Sequence, residues 1–251
     1  MNERQQQILE RLHHGRTELS TLAEEFGVSE MTIRRDVHLL EARQLALAVK
    51  GGAVLHPSNY EPKSTDVSLT SQKFALAEAL YREIMPTESL FIGTGFTVLA
   101  FARVLAQRNH RYMTVVTHAL SVAASLFRSK ARVFLPGGEL RSNSLDLVGA
   151  IAEREVGEFH VDWLVSGCDG ADAKGGFYTS DMNLSRLEQK SISLAEHVAI
   201  ITESSKFRRR ALTCFAVPER IDLLVTDSRL PKHDCELLRE KGVRVVQVPC
   251  E

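Results

Sequence analysis

Apolar residues return every three to four positions in three stretches near the start of the chain, the spacing of a helix with one buried face. The first, Arg4–His14, sets Ile8, Leu9 and Leu12 in a stripe and stops at Gly15. The second, Ser20–Phe26, buries Leu22, Ala23 and Phe26, and Gly27 breaks it. The third follows Ser29, a good N-cap, and repeats Ile33, Val37 and Leu40. Beyond Gln44 the period shortens: Leu45–Val49 and Ala53–Leu55 flank Lys50-Gly51-Gly52 and predict two short strands about a glycine turn. Pro57, Ser58, Asn59, Pro62 and Ser64 then predict a linker. Two short helices joined at a glycine, followed by a hairpin, make a helix-turn-helix with a wing.

From residue 68 onward, short apolar runs alternate with helical patterns. Strands are predicted at Leu90–Ile92, Thr114–Val116, Arg132–Leu135, Trp163–Val165, Val198–Ile201, Leu223–Val225 and Val243–Val248. Helices are predicted at about 70–84, 96–107, 119–128, 148–158, 184–196 and 232–241. Continuous apolar strands separated by helices predict a mostly parallel sheet covered on both faces. The organisation is therefore α/β: a winged helix-turn-helix at 1–56, a linker at 57–67 and an α/β domain at 68–251.

Composition narrows the reading without deciding it. With 251 residues, the chain is long enough for a small head and a larger domain. No run of about 18 apolar residues predicts a membrane span, and the polar start MNERQQQILE lacks a signal-peptide pattern, so a cytoplasmic location is expected. Cys168, Cys214, Cys235 and Cys250 form no CxxC pair, which indicates neither a zinc site nor a disulfide framework, and no cofactor is implied. The net charge is −1, and the first 55 residues carry seven Lys/Arg against eight Asp/Glu. Contact with a polyanion therefore needs positive charge sorted onto one face and doubled by dimerisation. That face is available on the third helix, where Met31, Arg34, Arg35 and His38 lie away from the apolar stripe. Arginine suits bidentate contact with guanine in a major groove.

The α/β part collects small, polar and charged residues after its predicted strands. These are Gly93-Thr94-Gly95-Phe96-Thr97, Thr117-His118, Pro136-Gly137-Gly138 with Arg141, Ser166 through Asp172, and Thr202 through Lys206. Ligands of open α/β sheets bind at that edge. Glycines let the backbone approach an anion, and the helix after Gly95 offers free N–H groups. Taken singly, GTGxT is also an ordinary tight turn, Asp169 and Asp172 are also turn residues, and His118 is also a satisfied strand-end histidine. Their recurrence at corresponding strand ends favours a site.

The string VSEMTIRRD followed by KGGAVL resembles the winged head of the DeoR family of bacterial transcription regulators. That resemblance implies double-stranded operator DNA as partner, with Ser29 and Thr32 on phosphates and Arg34, Arg35 and His38 on base edges and backbone. The family's usual second-wing arginine is missing, which leaves Lys50 as the wing's cation. From GTGFT through VVTHA, PGG and LVG to ESSKF and VTDS, the remainder resembles the family's sugar-sensing domain. That domain is itself similar to the sugar-phosphate isomerase acting on ribose 5-phosphate. The resemblance implies a phosphorylated-sugar effector on Gly93, Thr94, Gly95, Phe96 and Thr97, with His118, Gly137, Gly138, Arg141, Asp169, Asp172, Glu188 and Lys206 completing the site. His118 stands where the family usually has asparagine, and Glu203 where it has aspartate, so no particular sugar is carried over. The expected function is a repressor of carbohydrate genes acting as a homodimer or homotetramer. The alternative is an isomerase tethered to a DNA-binding head, with Glu188 as the general base.

Overall fold

The computed structural model describes residues 3–13, 17–43, 45–49, 51–55, 69–141 and 144–250. The chain divides into two compact units, Met1–Ser68 and Leu69–Glu251.

In the first unit α1 spans Glu3–His13, β1 Thr17–Glu18, α2 Leu19–Glu25, α3 Glu30–Glu41, β2 Ala46–Val49 and β3 Gly52–Leu55. All three expected helices and the hairpin are present. The strand β1 was not expected: it pairs with β3 to give a sheet of order β1-β3-β2, and two residues are too few to show a period. Ile8, Leu12, Leu22, Ile33, Val37 and Leu40 form the core, and Ala46 and Ala53 of the hairpin join it. Burying each large side chain contributes roughly 1.5–3 kcal/mol. Phe26 is only half-buried, at the edge of this core. A carboxylate links the helices: Asp36 of α3, itself buried, accepts from Arg4 Nε at 2.6 Å and Gln5 Nε2 at 2.9 Å on α1. Glu41 accepts from the Ala48 N–H at 3.1 Å, tying the end of α3 to the wing. Lys50 and the expected linker at 57–67 lie outside the described residues.

In the second unit the order is α4 (Ser71–Ile84), β4 (Ser89–Ile92), α5 (Phe96–Arg108), β5 (Met113–Val116), α6 (Leu120–Leu126), β6 (Ala131–Phe134), β7 (Glu139–Arg141), β8 (Asp146–Val148), α7 (Ala150–Val156), β9 (Val161–Ser166), β10 (Gly170–Asp172), β11 (Gly176–Thr179), α8 (Met182–Ile192), β12 (Ala195–Ile201), a 3-10 turn (Ser204–Arg208), β13 (Thr213–Ala216), β14 (Leu223–Asp227), α9 (Lys232–Glu240) and β15 (Arg244–Val248). Seven strands form one parallel sheet, ordered β15-β14-β12-β9-β4-β5-β6. They are the seven strands that the apolar runs predict. Successive residues of a strand face opposite ways, and this alternation divides the interior. Leu90, Ile92, Val115, Val165, Ala199, Ile201 and Val225 join one core with α4, α5 and α6. Phe91, Val116, Leu164, Val198, Ile200 and Leu224 join the other with α7, α8 and α9.

Some boundaries differ from expectation. The helix expected at 184–196 ends at Ile192, and Ala195 and Glu196 already belong to β12. Val148 closes β8 rather than opening a helix. Gly170–Asp172, expected as a loop, is β10, paired antiparallel with β11, and β11 pairs with β13.

Strand order positions the site. The chain runs outward from β4 through β5 to β6, then returns to the other flank of β4 as β9 and continues outward through β12, β14 and β15. After β4 it enters α5 in the first core, while after β9 it enters β10, β11 and α8 beside the second. Neighbouring strands whose onward connections part to opposite faces leave a crevice at their carboxyl ends. That crevice lies between Gly93 and Ser166-Gly167.

Candidate functional site

The head presents α3 as its outward element. Ser29 caps the helix, its Oγ accepting from the Thr32 N–H at 3.3 Å and lying 2.9 Å from Thr32 Oγ1. Ile33, Asp36, Val37 and Leu40 are turned inward, which leaves Met31, Arg34, Arg35 and His38 exposed on the other side. Neither Arg34 nor Arg35 forms an ion pair with a described residue, so both guanidinium groups remain available to a polyanion. His38 Nδ1 lies 3.1 Å from Glu41, the carboxylate that also holds the wing.

In the second unit the crevice floor is built around Gly93. Its N–H donates to Val165 O at 2.9 Å, drawing the end of β4 against β9. A Cβ at Gly93 would lie 2.8 Å from Glu188 Oε1 and 3.3 Å from Ser166 Oγ, so only glycine lets the α8 carboxylate approach this closely. Gly95 has φ +114°, a conformation side chains rarely adopt, and it caps the 13-residue α5 with open space around it. Thr94 and Thr97 are half-buried, and Phe96 is partly exposed at the helix start. The geometry offers free N–H groups at the mouth of a crevice.

Beneath that mouth lie two buried polar groups without adequate partners. His118, after β5, is fully buried, is stacked on Phe91 at 5.9 Å, and makes no hydrogen bond to a described residue at Nδ1 or Nε2. Its Nε2 lies 3.7 Å from Glu188 Oε1, too far for a hydrogen bond. Glu188 is equally buried, and its Oε2 has no partner. Polar groups in a folded interior are nearly always hydrogen-bonded. A cluster of orphans at the reversal point of a sheet therefore makes this the candidate binding site.

The other expected residues divide. Arg141 does not stand free: it forks onto the buried Asp146 at 2.8 and 2.7 Å and reaches Asp181, the N-cap of α8, at 3.1 Å. Burial works against ionisation of Asp146, but the bonds from Arg141 and Ser144 outweigh it and hold the carboxyl below its ordinary range. The Arg141 fork thus fastens the β7–β8 hairpin to the helix that carries Glu188. Gly137 donates to Glu155 at 2.6 Å, and Gly138 passes so close to Val148 that a Cβ there would meet its carbonyl oxygen at 2.8 Å. Asp169 accepts from Ser180 N at 2.8 Å and Thr179 Oγ1 at 3.3 Å. Asp172 is held by Arg210, which keeps its carboxyl below the usual range, and by the Lys174 and Gly175 N–H groups. Asp172 is thereby committed to its own turn.

Lys206 sits half-buried on the 3-10 turn and pairs with no described acidic residue. It lies within electrostatic reach of Cys168, whose thiol burial pushes up to about 11. Cys168 donates to Thr202 at 3.4 Å, and a Cβ on neighbouring Gly167 would meet Thr94 O at 3.4 Å. The Gly93–Thr97 loop, residues 166–169 and the Lys206 turn therefore adjoin one another. The turn itself is fixed by Asp227, which accepts from the Ser204 N–H and hydroxyl, both at 2.7 Å. Burial disfavours the Asp227 carboxylate, yet these bonds and Arg229 bring its pKa down to about 2. Sequence reasoning missed Asp146 and Arg210, and held Ser166 and Asp227 only within longer motifs. Arg210 acts through Asp172, 38 residues away, and Asp146 through a β7–β8 pairing, and neither leaves a periodic signal.

Comparison with known proteins fits this division. Residues 4–59 match the DeoR-like helix-turn-helix domain, and residues 69–228 match the DeoR C terminal sensor domain. An Escherichia coli O157:H7 protein named for repression of the aga operon is 32% identical across 98% of this chain and 94% of its own length. The glycerol-3-phosphate regulon repressor of Escherichia coli K12 is 30% identical across 89% of each. Among solved structures, ribose 5 phosphate isomerase A from Neisseria gonorrhoeae overlays 55% of each chain at a TM-score of 0.39 and 19% identity. The Pyrococcus horikoshii translation initiation factor eIF-2B overlays 90% of this chain and 95% of its own at 0.44 and 13%. At those values neither overlay bears on function. Among the described residues no helix is long and apolar enough to cross a membrane. The two domain matches in tandem, with relatives aligned along nearly the full length, show that the chain belongs to the DeoR family of helix-turn-helix transcription regulators.

Proposed function

We propose that this regulator is a repressor released or engaged by a small phosphorylated sugar, with DNA read by α3 and the sugar held between β4 and β9. The observation that carries the reading is the orphaned His118–Glu188 pair beneath Gly93 at the strand-order reversal. The phosphate takes the Gly95 end of α5, where N–H groups and the helix dipole favour an anion. Lys206 adds charge from the adjoining turn. Hydroxyls of the sugar reach His118 and Glu188, and Asp169 stands at the rim. Arg34 and Arg35 supply base and phosphate contacts, Ser29 and Thr32 further phosphate contacts. Lys50 extends the grip from the wing. The protein works in the cytoplasm as a homodimer or larger homo-oligomer, which doubles the modest positive face of one head.

A ligand changes DNA affinity only by favouring one state of the protein over another. Operator binding titrated against glycerol 3-phosphate, pentose 5-phosphates and hexose 6-phosphates should change by about 5–150-fold with at least one of them. No change with any would remove the effector. A second reading, an isomerase, draws on the buried Glu188 carboxylate alone. Sugar C–H exchange with solvent that disappears in Glu188→Gln would establish it; a bound sugar left unexchanged would eliminate it.

A further inference from the structure

We infer that a largely buried ion pair, Lys73–Glu203, is the latch through which an occupied crevice acts on the segment leading to the head. This rests on the effector reading above and goes beyond it, because it concerns how occupancy is relayed rather than which groups hold the sugar.

In sequence, α4 follows directly on residues 56–68, which join the two units, so its first turn is the root of the only covalent route from sensor to head. That turn is held from two sides. Thr70 caps it, accepting from the Lys73 N–H at 3.4 Å. The Lys73 ammonium reaches Glu203 at 3.2 Å, with only 13% and 23% of the two side chains exposed. Glu203 closes the connection between β12 and the turn that carries Lys206, and that turn is anchored at Ser204 by Asp227. The crevice rim and the root of the connecting segment are thus joined through one pair of charges. Next in sequence to Lys73, the Gln72 side-chain Nε2 is buried without a hydrogen-bond partner among the described residues. An unmade bond of this kind disfavours the closed arrangement and leaves it easily displaced.

Charge gives the latch its direction. An anion seated against Lys206 draws that side chain toward the crevice and places like charge near the Glu203 carboxylate. Ion pairs shielded from water are weakly screened, so the added charge is felt across the turn. The Lys73–Glu203 contact loosens, Gln72 gains access to a partner, and the first turn of α4 is released. Two arrangements of one element, each favoured by a different ligation state, meet the physical requirement for coupling between sites.

The test uses the full chain, a duplex selected by that chain from random sequence, and the sugar phosphates named above. Thermal shift reads ligand binding, and the ratio of operator Kd with and without sugar phosphate reads coupling. In Lys73→Met and Glu203→Gln, the thermal shift should persist while the Kd ratio falls to below about threefold, from within the 5–150-fold range typical of coupled sites. Lys73→Arg, which keeps the charge, should retain the wild-type ratio. Measuring the pair from both sides guards against one variant failing to fold. A wild-type ratio in both charge-removing variants overturns the latch while leaving the effector site intact. Absence of any thermal shift in the wild type overturns the effector reading, and the latch with it.

Discussion

The core of the head and the crevice of the sensor treat their buried polar groups in opposite ways. In the head, buried Asp36 is bonded by Arg4 and Gln5, so the chain completes its own interior and the outward face of α3 is left as the working surface. In the sensor, His118 and Glu188 are at least as deeply buried and lie 3.7 Å apart, while neither imidazole nitrogen nor Glu188 Oε2 has a hydrogen-bond partner among the described residues. A self-satisfied interior is a finished scaffold; an unsatisfied one has been kept incomplete for something that arrives later. The sensor's crevice therefore carries a standing cost in its unliganded form.

That contrast gives substitutions of opposite sign. The largest effect is expected for Asp36→Ala, which strips two bonds from the join between α1 and α3. Breaking a buried ion pair costs about 3–5 kcal/mol, but Arg4 is one-third exposed and recovers part by hydration, so a loss of about 2–3 kcal/mol is expected. Urea unfolding should place the loss in the head, with the sensor transition unmoved. Next comes Asp227, whose pKa falls to about 2 on folding. A carboxyl with a depressed folded pKa stabilises above its unfolded value near 4 and loses that contribution as pH falls through 2, worth about 2 kcal/mol in all. Sensor stability measured in urea should drop over that window, and Asp227→Asn should flatten the dependence. The smallest effect runs the other way. His118→Phe removes two orphan nitrogens and sets an aromatic ring beside Phe91, so the sensor should gain about 1 kcal/mol in urea while its thermal shift with sugar phosphate is lost. A destabilised His118→Phe protein would mean that the histidine is a satisfied core residue after all, and the contrast between the units would fail.

Legibility from sequence followed the apolar run of each element rather than its length. Short apolar runs recurring between helical stripes identified the parallel sheet and its covering helices, because burial on two faces writes itself into composition. Gly170–Asp172 and Gly176–Thr179 were invisible as strands: each is short and glycine-led, and their pairing depends on backbone approach, not on side-chain period. The site was legible as a set of strand ends and illegible as a set of bonds. Arg141 reads as an anion ligand in the sequence, but in the fold its fork belongs to Asp146 and Asp181. Asp172 reads as a sugar contact, yet Arg210, far along the chain, holds it. Spacing announces what type of group is present; it does not say which partner has already claimed it.

The opening between β4 and β9 comes from the order in which strands were laid down, not from any residue lining it. Its existence is thus insulated from mutation, while its preferences are not. A side chain on its floor can change, and the cavity persists with altered taste. Such an architecture lets regulators sharing one scaffold answer to different metabolites without inventing a new place to bind them.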